Sequence, residues 1–257
     1  MISSGKEGQV SATTRFAAVI ENPTAFGGQT LEVISDRRCC RSFSQREVPL
    51  ELIERILLAA RNVPSSQNTQ PWGVCVITGE SLTSLSARLL ESFESTPASE
   101  IKPDYRNRPS ELPPAEQDRL ADYGKTYYDF LKIQREDAAA RRGIDRRNYT
   151  FFGAPVHLIL HTTKRAVEGT FLDCGIFLAT ILHAAAAFGL GACPQFSIAK
   201  FADTVREHLG IAEDRLIICG ISIGYAGDAE INYYKPKRAP LSESVTWHGA
   251  TQPSSKM

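Results

Sequence analysis

A run of arginines between residues 37 and 41 is the first group in this chain whose residue types and spacing suit a chemical role. The segment reads Arg37-Arg38-Cys39-Cys40-Arg41. A guanidinium group presents a planar fork of N–H donors that binds two phosphate oxygens at once. Arg37 and Arg41 would share a face if the segment were helical. The pattern indicates a phosphate site, and a solvated basic helix end favoured by the helix dipole is the alternative.

A polar loop between two prolines is the second such group. Pro64 and Pro71 fix φ at its ends, and six side chains that donate or accept hydrogen bonds lie between them, namely Ser65, Ser66, Gln67, Asn68, Thr69 and Gln70. An ordinary turn uses the same residue types and remains the alternative. Arg238 is a third candidate, far along the chain, and sequence alone does not show whether it converges with the other basic residues.

Several common sites are not supported by the sequence. The chain has no G-x-G-x-x-G after a strand, no G-x-x-x-x-G-K-[ST] and no G-x-S-x-G, so neither a dinucleotide-binding βαβ unit, a P-loop nor a serine nucleophile elbow is predicted. His157 and His161 could share a strand face, but no Cys or carboxylate lies near them in the sequence, so we predict structural roles and no metal site.

Composition predicts a globular protein that is neither nucleic-acid-binding nor membrane-bound. Of 257 residues 42% are hydrophobic, which is enough for a sizeable core, and 29 basic residues balance 29 acidic ones. The N-terminus does not resemble a signal peptide, and no apolar run approaches the roughly 20 residues of a membrane span. The six cysteines form no C-x-x-C pair, which favours reduced thiols and a cytoplasmic location.

Hydrophobic periodicity and Gly or Pro boundaries predict alternating helices and a few strands, hence an α+β or α/β fold with a modest sheet. Residues 1–30 are predicted to form a flexible arm, residues 31–250 the main domain, and residues about 96–148 an excursion from its core. One predicted helix begins near Thr30, and a second begins at Leu50 and is ended by Pro64. Further helices are predicted over about 80–94, Gly169 to Phe188 and about 198–208. The predicted strands are Gly73 to Thr78, Ala154 to His161 and Leu216 to Gly224, and Cys193 to Phe196 is predicted to be a short loop.

Five ordered motifs give the chain a resemblance to the FMN-dependent nitroreductase family, over about residues 36–248. They are Arg37 to Phe43, Pro64 to Trp72, Phe152 to Val156, Gly189 to Gln195 and Lys237 to Leu241. The resemblance implies an α+β sandwich that forms an intertwined homodimer with FMN at the subunit interface. The excursion and the Cys193-Pro194-Gln195 variant are most similar to the subgroup that reduces nitrobenzoates and dinitroanilines.

The resemblance also implies roles for single residues. Arg37, Arg38, Cys39, Arg41 and Arg238 would hold the ribityl phosphate and nearby polar atoms, although the family usually has Ser where this chain has Cys39, and a thiol is the weaker donor. Pro64, Ser65, Ser66 and Asn68 would reach the flavin from the partner subunit, and Pro194 and Gln195 would lie beside the isoalloxazine. Tyr123 and Tyr127 of the excursion would stack on an aromatic acceptor, or else pack within the excursion.

The implied activity is NADH- or NADPH-dependent reduction of nitroaromatic or quinone-like acceptors. Because no dinucleotide fold is predicted, the nicotinamide and the acceptor would take turns at the flavin, whose N5 carries the chemistry in place of a catalytic side chain. The same fold supports two alternatives, a flavin-dependent oxidase or dehydrogenase of a specialised metabolite and a non-catalytic flavin-binding protein. The physiological acceptor and the choice between NADH and NADPH are left open by the sequence.

Overall fold

A four-stranded antiparallel sheet organises the computed structural model, which describes residues 23–249. The strands are β1 (Gly73–Thr78), β2 (Val156–Thr163), β3 (Gly191–Gln195) and β4 (Arg215–Gly224), in the spatial order β1-β2-β4-β3. β2 and β4 read as nearly continuous apolar runs because they are central and covered on both faces. The modest sheet predicted from the sequence is confirmed.

Two hydrophobic clusters cover the two faces of this sheet. Leu158 and Leu160 of β2 pack in one cluster and Ile159 between them packs in the other, as the alternation of side chains along a strand requires. The first cluster also contains residues of α2 (Leu50–Ala60) and α6 (Glu168–Ala187), and the second contains residues of α3 (Gly79–Ser95) and α7 (Ala202–Leu209).

The predicted excursion contains two helices, α4 (Pro114–Phe130) and α5 (Ala138–Arg146). Its first part is tied to the sheet by Asp104, which pairs with the buried Arg206 of α7 and accepts a hydrogen bond from the Ile217 backbone at 3.0 Å. Its end is tied to the edge strand β3, because the Asn148 carbonyl accepts a hydrogen bond from Gln195 at 2.7 Å. The excursion is therefore fastened at both ends to the sheet.

Three sequence-based assignments are corrected by the structure. Helix α1 (Pro23–Asp36) begins seven residues before the predicted start at Thr30, and residues 1–22 of the predicted arm lie outside the described residues. Gly191–Gln195 is an edge strand, not part of a loop, since Pro194 is tolerated where only one side of a strand is paired. The predicted helix at 198–208 is a 3-10 turn, Phe196–Phe201, followed by α7.

The buried helix predicted at 169–188 is α6. Among the described helices, α6 alone is long and apolar enough to cross a membrane by length and composition. No apolar run of this length was predicted from the sequence. One side of α6 is in the core, where Cys174, Phe177 and Ile181 are buried. The other side carries exposed apolar residues, with Leu172 67% accessible to solvent.

Candidate functional site

The arginine segment after α1 is extended and follows the edge of the sheet. Cys39 forms an isolated parallel bridge with Ala192 of β3, and the Cys40 N–H donates to the Ala192 carbonyl at 3.0 Å. The segment approaches β3 this closely because Gly191 has no side chain, since a Cβ there would lie 2.8 Å from the Cys40 sulfur. The helical alternative for Arg37 to Arg41 is therefore wrong, and the segment lies extended beside the edge strand β3.

A cavity of about 290 Å³ brings together the four arginines selected from the sequence. Its lining includes Arg37, Arg38 and Arg41 from the extended segment, Arg238 from the C-terminal segment, Cys39, Tyr123, Tyr234 and Lys235. Between residues 23 and 249 no carboxylate forms an ion pair with any of these four arginines. The cavity therefore carries a large uncompensated positive charge, which suits a small dianion such as a phosphate group.

Arg41 is the most firmly held of the four. Its backbone N–H donates to Oδ1 of Asn232 at 2.8 Å, and its carbonyl accepts from Arg147 at 2.7 Å. Its guanidinium group reaches the Tyr123 hydroxyl at 3.4 Å and lies 5.4 Å from the centre of the Tyr127 ring. Asn232 and Arg147 were not predicted, because a single amide and one member of a surface arginine cluster give no signal in the sequence.

Tyr123 and Tyr127 lie on α4 beside the arginine cavity. Their rings stack at 5.5 Å, and Tyr127 is buried in a cluster with Ile231 and Tyr234. This burial favours packing within the excursion for Tyr127, the alternative noted above. Tyr123 lines the cavity and contacts Arg41, so it borders the predicted phosphate site. Contact of either residue with an acceptor stays a prediction.

The polar loop is exposed and strained, and it is fastened to α6. Gln67, Asn68 and Gln70 have φ values of 49°, 57° and 46°, in the left-handed region that non-glycine residues rarely adopt. Such strain costs on the order of 1–3 kcal/mol per residue and concentrates at functional sites. The Ser66 N–H donates to both oxygens of the buried Asp173 at 3.2 and 3.3 Å, which holds the loop in place.

The far end of the loop is also held by α6, because Trp72 stacks on Phe177 with ring centres 4.6 Å apart. Ser65 accepts a hydrogen bond from the Gln70 N–H at 3.0 Å, which closes the loop on itself. Pro64, Ser65, Ser66 and Asn68 do not line the arginine cavity of their own chain. The two groups of predicted residues are therefore well formed but not brought together within one chain.

Pro194 and Gln195 lie on β3 next to the arginine segment. The Gln195 side chain is buried and points into the core, where its oxygen accepts from the Ser222 hydroxyl and its nitrogen donates to Asn148. Ser222 in turn meets Nδ1 of His157 at 3.2 Å. Only the backbone of Gln195 is left to meet a ligand.

His157 lies in the core with no other ionisable group as its partner. Its ring stacks on Phe151 at 4.0 Å, and Gly220 makes room for it, since a Cβ there would lie 2.3 Å from Nε2. Burial lowers the pKa of His157 to about 3. His161 instead accepts from Arg215 at 3.0 Å, and within residues 23–249 no three His, Cys, Asp or Glu side chains gather in a metal-binding group.

Cys39 lines the cavity and lies beside Cys193, the residue that follows its bridge partner Ala192. Contact with the Cys193 thiol, together with the charges of Arg41 and Arg37, lowers the pKa of Cys39 to about 5 although burial opposes the change. The same contact and burial raise the pKa of Cys193 well above the usual thiol value. Cys39 is therefore the more acidic of the two thiols and the one next to the arginines.

Comparisons of sequence and of structure with known proteins both match this chain to nitroreductases. The profile of the nitroreductase family matches residues 34–225. The 4-nitrobenzoate reductase of Pseudomonas putida is 34% identical over 207 residues, covering 80% of this chain and 89% of the relative. Nitroreductase NfnB of Mycolicibacterium smegmatis is 35% identical over 226 residues, covering 87% and 94%.

Solved structures extend the likeness to the whole fold. The FMN and NADPH-dependent nitroreductase NfnB from Sphigopyxis sp. strain HMH superposes with a TM-score of 0.82 at 32% identity, over 86% of this chain and 99% of that one. The FMN-dependent nitroreductase NfnB from Mycobacterium smegmatis in complex with NADPH gives 0.81 at 33% identity, with the same coverage.

Proposed function

The chain belongs to the nitroreductase family, and on that basis we propose that it is an FMN-dependent oxidoreductase that takes electrons from NADH or NADPH and reduces nitroaromatic or quinone-like compounds. The observation that carries the proposal is the cavity lined by Arg37, Arg38, Arg41 and Arg238. Family membership supplies the class of reaction. The arginines supply the place where a phosphorylated cofactor is held.

The residues present fit the phosphate end of FMN. Four guanidinium groups without carboxylate partners in the described part of the chain surround a space of about 290 Å³, which accommodates a phosphate but not a whole flavin. Each charged hydrogen bond to a phosphate oxygen contributes about 1.5–3 kcal/mol. Arg41 is preorganised by Tyr123 and Asn232, so less freedom is lost on binding.

Bound FMN supplies hydride transfer at N5, first from the nicotinamide and then to the acceptor. The chain contributes positioning. Because the Gln195 side chain is anchored by Ser222 and by the Asn148 carbonyl, the β3 backbone is fixed in orientation beside the arginine segment. A backbone held in this way would present its polar groups to a bound flavin ring without reorganisation.

We assign the polar loop to the cofactor of a second copy of the chain. The loop carries several polar side chains on an exposed and strained turn, yet the cavity of its own chain is lined by other residues. α6, to which the loop is fastened, exposes Leu172, with Val167 just before its start 62% accessible. A homodimer that packs through this face covers the apolar residues and delivers Ser65, Ser66 and Asn68 across the interface.

We place the enzyme in the cytoplasm. Its six cysteines are all free thiols, and four of them are buried. Thiols persist where glutathione and thioredoxin keep them reduced. NADH and NADPH are supplied in the same compartment.

The proposal is tested on the purified full-length chain. It is expected to be yellow, to contain one FMN per chain, and to bleach anaerobically when NADH or NADPH is added. Adding 4-nitrobenzoate or a benzoquinone then restores the absorbance of the oxidised flavin. A colourless protein that takes up no FMN contradicts the proposal, and so does a flavin that neither nicotinamide reduces.

A further inference from the structure

Two cysteines from distant parts of the sequence meet at the wall of the arginine cavity. Cys39 lines the cavity, and Cys193 lies on β3 directly after Ala192, the bridge partner of Cys39. With strands about 4.8 Å apart and a rise of about 3.3 Å per residue, the Cα atoms of the two cysteines lie about 6 Å apart. Disulfides form at Cα separations of about 4.4–6.8 Å.

The two cysteines pack on the same side chains. Cys193 is buried in the second hydrophobic cluster, and Cys39 packs against that same cluster, whereas Ala192 belongs to the first. The backbone spacing and the shared packing are therefore those of a pair that can be joined.

The two thiols also differ in the way that a peroxide-sensitive pair requires. A thiolate is the form that attacks a peroxide, and the hydrogen bond from the Cys193 thiol, with the charges of Arg41 and Arg37, lowers the pKa of Cys39 and so favours that form. Cys193 keeps its proton and lies behind Cys39, away from solvent. Cys40, next in sequence, has no such environment, because its pKa is raised by burial and its thiol donates to the Ser42 carbonyl at 3.1 Å.

We propose that Cys39 and Cys193 are a peroxide-sensitive thiol pair that closes to an intramolecular disulfide when the cavity is empty. In the first step the Cys39 thiolate attacks one oxygen of hydrogen peroxide. The S–O bond forms, the O–O bond breaks, and hydroxide leaves and takes up a proton to become water. The product is a sulfenic acid on Cys39.

In the second step the Cys193 sulfur attacks the Cys39 sulfur. The S–S bond forms, the S–O bond breaks, and the departing hydroxide takes the proton lost by the Cys193 thiol. In total two thiols and one peroxide give one disulfide and two waters, so each sulfur loses one electron and the peroxide gains two. No further oxidant is needed.

The connection to the cofactor rests on the proposed function. Cys39 lines the cavity assigned to the FMN phosphate, so bound FMN covers its sulfur and shields it from peroxide. Access limits the reaction of a thiolate with peroxide. The pair therefore oxidises in the cofactor-free protein and is protected in the loaded enzyme.

The experiment treats the full-length chain, reduced and then freed of reductant, with hydrogen peroxide in the presence and absence of saturating FMN. Remaining thiols are alkylated, and the disulfide is mapped by mass spectrometry after cleavage at basic and aromatic residues. Phe177 and Phe188 lie between Cys174 and Cys193, so the two fall in different peptides. We expect two peptides joined by a disulfide between Cys39 and Cys193. This disulfide should form at least about tenfold more slowly when FMN is present.

Three variants identify the partners. In Cys193→Ser the reaction is expected to stop at the sulfenic acid, which dimedone labels at Cys39, and Cys193→Ala serves if the Ser variant does not fold. Cys39→Ser is expected to form neither product. Cys40→Ser, the matched control, is expected to form the disulfide at the parent rate, which also separates Cys39 from Cys40 in their shared peptide.

The inference is overturned if peroxide leaves Cys39 and Cys193 unlinked, or if Cys75 or Cys174 is oxidised first. Equal rates with and without FMN, in samples whose flavin fluorescence shows full binding, overturn the protection. If flavin fluorescence shows no binding at all, the proposed function fails, whereas the disulfide map still decides whether the thiol pair exists.

Discussion

The arginines of the cavity differ in how strongly the protein itself uses their side chains. Arg41 is half-buried between Tyr123 and Tyr127, whereas Arg238 is exposed and reaches only the carbonyls of Pro236 and Lys237, both at 3.4 Å. In the proposed site, losing either guanidinium removes a charged partner of the phosphate. Only Arg41 also supports the fold around it.

We therefore predict that Arg238→Ala weakens FMN binding by about 10- to 100-fold, the equivalent of roughly 1.5–3 kcal/mol, without changing the Tm of the cofactor-free protein. Arg41→Ala is expected to weaken binding as much and to lower that Tm as well. Titration of FMN fluorescence and thermal melts measure the two effects. The exposed Arg108 lies outside this cavity, so Arg108→Ala is the control, and full flavin retention in both test variants would remove these arginines from the site.

The buried His157 makes the stability of the fold depend on pH. Burial lowers its pKa from 6.5 to about 3, so the folded protein keeps the ring neutral while the unfolded chain takes up a proton below pH 6.5. The unfolded state then binds more protons, and the free energy of unfolding falls as pH decreases from 6.5 towards 3. Above pH 6.5 the residue contributes no pH dependence.

Urea denaturation between pH 7 and pH 4 measures this contribution. The parent chain is expected to lose about 1.4 kcal/mol per pH unit below pH 6 through this group, and His157→Gln, which keeps a polar contact but does not titrate, is expected to lack that component. His208→Gln is the control, since His208 is near the surface and contacts only the Ser81 carbonyl at 3.3 Å. Parallel pH profiles for the parent and His157→Gln would contradict the prediction.

At the scale of elements, α6 presents the polar loop through Asp173. This carboxylate is 7% exposed and accepts from the Ser66 N–H with both oxygens. We predict that Asp173→Ala frees the loop and weakens FMN binding by about tenfold or more, because a charged hydrogen bond is worth about 1.5–3 kcal/mol. Asp173→Asn keeps one acceptor oxygen and is expected to retain most of the affinity.

Hydrogen exchange at Ser66 separates this effect from a general loss of structure. The Ser66 amide is expected to exchange faster in Asp173→Ala, while the amides of β2 and β4 keep their protection. If FMN affinity is unchanged although exchange at Ser66 accelerates, the loop does not contact the cofactor.

The excursion is fastened to the sheet by an ion pair whose burial sets its importance. Asp104 pairs with Arg206, which is 3% exposed and also pairs with the exposed Asp203. Asp104→Ala therefore leaves buried donors of Arg206 and the Ile217 N–H without an acceptor and is expected to cost about 1–3 kcal/mol of stability. The matched control is Glu207→Gln, which breaks the exposed pair with Arg88 and is expected to cost less than about 1 kcal/mol. Urea denaturation compares the two, and equal costs would contradict this ranking.

The sequence predicted the elements that have strong local signals. Gly73–Thr78 has the predicted bounds, because it is a β-rich run between glycines. The helix predicted from Leu50 begins there, because it shows clear helical periodicity, but it ends at Ala60, before the predicted stop at Pro64. β3 was missed because five residues containing Pro194 resemble a loop, and its pairing with β4 is a long-range contact. Asp173 did leave a signal, since a lone carboxylate in an apolar helix needs a partner.

The candidate site was predictable only in part for the same reason. The residue types of Arg37 to Arg41 indicated phosphate, but their convergence with Arg238 depends on the path of the chain between residues 41 and 238. Asn232 and Arg147 act through the Arg41 backbone, and a backbone contact leaves no pattern in the side chains. The residue types of one segment can be read from the sequence, whereas contacts between distant segments depend on the fold.

At the scale of the whole molecule, the proposed cofactor site needs two chains. The loop at residues 64–71 and the arginine cavity are each well formed, but the loop residues do not line the cavity of their own chain. Between them α6 exposes apolar side chains that a second copy would cover. Dimerisation and cofactor binding should therefore depend on each other.

Leu172→Arg tests this dependence. Leu172 is 67% exposed on α6, so the substitution costs little in a separate chain but places an unpaired charge in the proposed interface. Such a charge costs several kcal/mol when buried, and we expect the dimer dissociation constant to rise by about 100-fold or more. Light scattering across a dilution series measures the assembly, and flavin fluorescence in the same samples measures FMN binding.

The control is Leu120→Arg on α4, which places the same charge on a residue that is 41% exposed and lies outside the proposed interface. It is expected to leave the dimer dissociation constant and FMN binding unchanged. Since the partner supplies Ser65, Ser66 and Asn68, FMN should be lost at the dilution where Leu172→Arg becomes monomeric, and a monomer that retains FMN would show that one chain forms the whole site.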